Sequence, residues 1–367
     1  MDEFKFFMPT DTFFGRGCVL AKRDVLLSMG SKAMLVTGRN SAKKNGAQKD
    51  VTEALDTLNI PWVLFDEIEE NPAIETVQKA ASRAISEKAD FFIGIGGGSP
   101  MDAAKAIAVL VANPKEDVDI LFTKPHVKVM PVVAIPTTAG TGSEVTPYSI
   151  LTIHEKRQKG SIIQKVFPKV SFLDPKYMDS LSAEITNNTA VDALSHLIES
   201  YLSVNSNYMS ERIVEKGLSL FKECMPALKT RVYSEEVRDK LLLSSAFAGV
   251  AIAQTATSIP HYIGYFLTYD KGIAHGRANG LVMKAYLELF PKGYEKISKF
   301  LECLDMKTIE EMGEFLDEVL DTSENFSLEE IADFTDRVFE NPLKLASFPF
   351  AVEKDDIFTI YKKSLLS

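Results

Sequence analysis

The sequence predicts two domains in tandem, an α/β half built on a doubly wound parallel sheet and an all-α half. Three observations predict this. Short apolar runs alternate with helical stretches between residues 33 and 173. Beyond about Asp179 strand signals fade, and apolar residues recur at helical spacing to the end. The length, 367 residues, is enough for two separate cores. The expected division is an N-terminal domain over 1–178 with a Rossmann-like sheet and a helical C-terminal domain over 179–367.

The first buried strand is the AMLVTG run, residues 33–38. A helix over 47–58, an apolar run over 61–65 and a helix over 73–88 opened by Asn71-Pro72 follow. DFFIGI, residues 90–95, is the next strand, then come glycines and a helix over 100–112. Strands over 129–135 and 170–173 complete the alternation. In the second half the spacing predicts helices over 189–202, 210–223, 235–254, 280–289, 309–320, 328–339 and 354–365. Residues 241–269 carry no Asp, Glu, Lys or Arg, yet Ser244, Gln254, Thr257 and His261 make the run too polar to face lipid. A central buried helix is expected there.

Hydrophobic content of 46% and charged content of 25% are those of a globular chain. A net charge of −10 argues against binding nucleic acid or an anionic membrane. The three cysteines are far apart in sequence, and the acidic start MDEFKFF lacks the form of a signal peptide. A reducing, cytoplasmic location without disulfides is the expectation.

The stretch TAVDALSHLIESYL, 189–202, sets Asp192 and His196 four residues apart on one face of an apolar helix, with Asn187, Asn188 or Thr189 as candidate caps. A half-buried carboxylate and imidazole need partners. They bond each other or the backbone, or they are half of a metal site whose other ligands come from elsewhere. His261 and His275 are candidates for the rest, but spacing cannot bring them there.

Two loops suit a nucleotide. In Gly94-Ile-Gly96-Gly97-Gly98-Ser99-Pro100 the glycines admit close approach of a ligand, and the helix start offers N–H groups to a diphosphate. The loop PTTAGTGSEVT, 136–146, follows a strand and is dense in hydroxyls. Thr137, Thr138, Thr141 and Ser143 there line either solvent or a groove at the carboxyl end of the sheet.

Together GGGSPMDAAK, PTTAGTGSEVT and Asp192-Ala-Leu-Ser-His196, followed by His261 and His275, resemble the iron-containing (group III) alcohol dehydrogenases over nearly the whole chain. The resemblance implies the dehydroquinate synthase-like architecture, with NAD(P) on the first domain and one divalent metal in the second. Its ligands would be Asp192, His196, His261 and His275. The metal the resemblance implies is Fe²⁺, with Zn²⁺ in some members of the family. Gly97, Gly98 and Ser99 would hold the diphosphate, and Thr137, Thr138 and Thr141 the adenosine and ribose side. Asn71, Asp102 and Lys159 match positions near the cofactor. It also implies a homodimer joined through the segment around Phe4 to Gly15.

NAD-preferring members of the family carry an acidic residue where Gly38 stands. Here Gly38, Arg39, Asn40 and Ser41 bring no carboxylate, and Lys43 and Lys44 are near, so NADP(H) is expected over NAD(H). Tyr265 stands where many members carry a further histidine. The expected reaction is reversible hydride transfer between a small alcohol or diol and the nicotinamide, with the substrate oxygen on the metal. The alternatives are a dehydroquinate synthase-like or glycerol dehydrogenase-like enzyme, or an inactive nucleotide-binding sensor.

Overall fold

The structure is a computed structural model that describes residues 3–320, 324, 326–341 and 345–366. It divides into two units, one spanning Met8–Leu181, the other Ser182–Ser367 together with the residues up to Phe7. The division falls after Leu181 rather than 178. Phe7 belongs with the helical unit because its N–H and carbonyl both bond the Gln254 amide, at 3.1 and 3.0 Å.

The α/β unit holds a six-stranded sheet made of β1 (Asp11–Phe14), β2 (Ala33–Thr37), β3 (Trp62–Phe65), β4 (Phe91–Gly96), β5 (Val132–Pro136) and β8 (Val170–Leu173). The order is β1-β8-β5-β4-β2-β3, and every pairing is parallel. Its longer helices are α1 (Ala47–Thr57), α2 (Ile74–Glu87) and α3 (Gly98–Ala112). Side chains alternate along the strands, so β2 sends Ala33 and Leu35 into one apolar core and Met34 and Val36 into another. Both faces are covered, which is why β2 reads as an unbroken apolar run. The order reverses between β2 and β4, so the loops leaving their carboxyl ends are neighbours at the switch point.

Two features differ from expectation. An antiparallel hairpin, β6 (Ile150–Ile153) with β7 (Gln158–Ser161), interrupts the alternation. Its turn, His154 to Arg157, is polar and looks like an ordinary loop in sequence. Helix α3 starts at Gly98, not Pro100, so Gly98 and Ser99 lie in its first turn.

The helical unit comprises α4 (Ala183–Leu202), α5 (Tyr208–Thr230), α6 (Glu235–Thr255), α7 (Ile259–Lys271), α8 (His275–Leu287), α9 (Glu295–Cys303), α10 (Ile309–Leu320), α11 (Leu328–Val338) and α12 (Lys354–Leu365). Helix α4 is buried along most of its length and packs against α5, α6 and α8. Its cap is Ser182, whose hydroxyl accepts from the Ile185 N–H, and not one of Asn187, Asn188 or Thr189. Asn187 is instead a buried tie that donates to the carbonyls of Leu228 and Val319.

The uncharged run is two helices and not one. α6 and α7 meet at 110°. Ala256 takes a left-handed φ of 60°, and Pro260 opens α7, so the first helix cannot continue into the second. Among the described residues no single helix is long and apolar enough to cross a membrane. Helix α8 begins at His275, ahead of the expected 280, because Gly272 ends α7 in a left-handed turn three residues earlier.

Candidate metal centre and nucleotide loops

In the helical unit three elements deliver one cluster. Asp192 sits mid-way along α4, His261 in the first turn of α7, and His275 at the start of α8. The bend between α6 and α7 sets where His261 falls. Glycine decides the approach of α8, because a Cβ on Gly276 would lie 1.9 Å from the Asn188 carbonyl oxygen. Ligand atoms of Asp192, His261 and His275 lie within 4.8 Å of one another. His261 Nε2 is 3.4 Å and His275 Nε2 3.8 Å from Asp192 Oδ1.

The electrostatics favour positive charge at this point. His261 Nε2 is buried and makes no hydrogen bond among the described residues. Burial pushes Asp192 up, but the imidazoles of His196, His275 and His261 outweigh it and hold the carboxyl well below its usual range. Burial pushes His261 down, and the carboxylates of Glu199 and Asp192 outweigh that and raise it to about 9. Positive charge is thus favoured where the nitrogens meet the carboxylate. One carboxylate oxygen and imidazole nitrogens are a donor set that fits Fe²⁺ or Zn²⁺.

The fourth expected ligand, His196, is beside the cluster and outside the converging set. Its ring stacks on His261 with centroids 4.1 Å apart. Tyr265 stacks on His275 at 5.3 Å, which fixes that ring from behind. Two contributors escaped the sequence reading. Glu199 accepts from His261 Nδ1, and Asn279 donates to Asp192 Oδ1 at 3.0 Å. Both were open to helical spacing: Glu199 lies three residues past His196, and Asn279 four past His275.

In the α/β unit the two loops pack on each other. A Cβ on Gly97 would lie 3.4 Å from Thr138 Oγ1, and one on Gly98 would lie 2.9 Å from Thr141 Cγ2. Gly96 has φ 153°, and the Thr137 N–H donates to its carbonyl at 2.8 Å. Gly96, by its positive φ, and Gly98, by the nearness of the Thr141 side chain, favour glycine at the start of α3, where a phosphate would approach, while a Cβ at Gly97 would make an almost ordinary contact.

Ser99 Oγ accepts from the Asn71 N–H at 3.0 Å, and the Asn71 carbonyl accepts from Thr152 Oγ1 at 2.7 Å. Thr152 faces Lys159 across the hairpin. Ser99, Asn71 and Lys159 are thereby linked. Gly38, Arg39, Asn40 and Ser41 follow β2 at the switch point, with Arg39, Asn40 and Ser41 exposed.

Ser143 and Asp102 belong to one internal hydrogen-bond network. The Ser143 hydroxyl donates to Asp102 Oδ1 at 2.5 Å and accepts from Lys105 Nζ at 2.7 Å. Asp102 also accepts from the Ile150 N–H at 2.9 Å. Lys105, wholly buried in α3, donates further to the carbonyls of Ser143 and Tyr148, at 2.8 and 2.6 Å. This network ties the loop after β5 to α3.

A parallel α/β unit with a glycine-rich loop at a helix start, followed by a helical unit with an Asp–His–His cluster able to hold a metal, is the layout of a metal-dependent enzyme. The family model for iron-containing alcohol dehydrogenase matches residues 9–175, and that for the family's C-terminal part matches 186–365. The chain belongs to the iron-containing alcohol dehydrogenase family. It is similar to the iron-containing alcohol dehydrogenase of Thermotoga maritima, with 38% identity, 99% of each chain covered and a TM-score of 0.92. It is 28% identical to the NADPH-dependent butanol dehydrogenase of Clostridium saccharobutylicum, over 80% of this chain and 77% of that one. It is 30% identical to the NAD-dependent methanol dehydrogenase of Bacillus methanolicus, over 76% and 74%.

Proposed function

We propose that this enzyme is an alcohol dehydrogenase and aldehyde reductase that uses a divalent cation and prefers NADP(H). One observation carries the reading: Asp192 and His261, both buried, and half-buried His275 converge from three helices on one point. His196, stacked beside them, completes the set as a fourth ligand. Fe²⁺ is the proposed cation, with Zn²⁺ as the substitute. When bound, the cation supplies a Lewis acid for the alcohol or carbonyl oxygen, and the nucleotide gives or takes the hydride. Asn279 orients Asp192, and Tyr265 backs His275.

Gly97, Gly98 and the first turn of α3 take the diphosphate, while the Lys105–Ser143–Asp102 network holds the loops in place. The NADP(H) preference rests on Gly38, Arg39 and Lys44. Lys43 contributes less, because its ammonium is already 2.7 Å from Asp66. The exposure of Phe4, Phe7 and Phe14, and the place of β1 at the sheet edge, support a homodimer through the N-terminal segment.

The test is anaerobic purification with metal analysis, then oxidation of NADPH against a panel of small aldehydes and ketones. One divalent cation per chain and turnover are expected. Nucleotide binding without turnover of any carbonyl compound would leave a nucleotide-binding sensor instead.

A further inference from the structure

We infer that Glu199 is a positioning residue of the metal centre, whose carboxylate holds the proton of His261 on Nδ1 so that Nε2 is presented as a lone pair. The inference rests on the metal reading above. Glu199 is fully buried on α4, seven residues after Asp192, so both side chains project from nearly the same face. Its two oxygens have separate duties. Oε2 accepts from the N–H of Ser258, the residue just before α7, and Oε1 faces His261 Nδ1.

One carboxylate therefore fixes both the start of the helix and the turn of the ring it carries. A neutral imidazole has one N–H. With that proton on Nδ1, Nε2 and Asp192 Oδ1 are two acceptors facing each other across 3.4 Å. Such a pair repels unless positive charge lies between, which a second ring proton supplies in the metal-free chain and a bound cation would supply in its place. A purely structural Glu199 would need only the Ser258 N–H. The second oxygen, given to the imidazole, aims Nε2 at the point where Asp192 and His275 converge, and this shared aim is what points to metal binding.

Glu199→Gln is the discriminating variant, because it keeps the shape and removes one acceptor. If the amide oxygen serves Ser258, the NH₂ faces Nδ1 and drives the ring proton to Nε2, where it blocks the lone pair. The full chain, stripped of metal, is titrated with Co²⁺ and followed by visible absorption. The variant is expected to bind about ten- to a hundredfold more weakly, with NADPH affinity and the urea midpoint of the stripped protein unchanged. Binding within twofold of the unsubstituted chain would overturn the inference while leaving the metal reading intact. If the unsubstituted chain itself takes up no Co²⁺, the metal reading fails and this inference with it. A second measurement needs no variant. Imidazole ¹⁵N shifts of the Zn²⁺-loaded protein should show His261 protonated on Nδ1, and a ring protonated on Nε2 would overturn the assignment.

Discussion

Asn279 donates its Nδ2–H to Asp192 Oδ1 at 3.0 Å, and the same nitrogen lies 3.4 Å from His275 Nε2. The amide stands against two of the converging donors and is itself wholly buried. Its place is enforced from α7, where a Cβ on Gly264 would sit 2.4 Å from Asn279 Oδ1. Asn279→Ala should weaken Co²⁺ binding by the stripped protein about tenfold, since an unoriented carboxylate is a poorer ligand. Undiminished affinity would reduce Asn279 to a space-filler.

His261→Ala and His275→Ala each remove one converging nitrogen. Both variants should lose the cation and turnover yet bind NADPH as before, because the loops proposed to hold the nucleotide belong to the other unit. Metal analysis and fluorescence titration check this, and full metal content in either variant would strike that residue from the ligand set.

Gly276 is the contact point of α8 with α4. Besides the Asn188 carbonyl, an added Cβ would meet Asp192 Cβ at 2.8 Å. Backbone cannot swing aside as a side chain can, so Gly276→Ala must lift α8 and carry His275 away. The expected loss is about 3 kcal/mol in urea unfolding, together with metal affinity. A wild-type midpoint would show that the two helices are not so closely set.

Glu144 gives a pH signature. It is buried, and burial raises its carboxyl from 4.5 to about 7 against the pull of Lys105. Between those values the folded chain holds a proton that the unfolded chain has released, so stability falls as pH rises through this window and levels off above it. Glu144→Gln removes the effect. The variant should gain on the order of 3 kcal/mol relative to the natural chain between pH 4.5 and 7.5. A stability difference that does not change with pH, measured by urea unfolding, would contradict the assignment.

Nucleotide choice is tested at the end of β2. Arg39→Ala should lower the ratio of kcat/KM for NADPH over NADH about tenfold, the worth of one charged hydrogen bond. Lys43→Ala should leave the ratio nearly unchanged, because Asp66 already engages that ammonium. A natural enzyme that favours NADH would end the argument.

Local chemistry in the sequence was enough to determine the alternating strands and helices of the α/β half, the glycine cradle before α3 and the shared face of Asp192 and His196. Those follow from periods of two and 3.6 residues and from glycine's freedom, which need no distant partner. The order of the strands, and so which loops become neighbours, was decided only by tertiary pairing. The end of α6 near 254 was legible and Pro260 marked the break, but the 110° turn into α7 was not, because residues 241–269 carry no charged side chain to show how one helix leaves the other. The meeting of His261, His275, Glu199 and Asn279 depends on that bend and on the close seating of α8 against α4. Neither leaves a periodic trace, because contact between helices is set by packing geometry rather than by residue spacing along one chain.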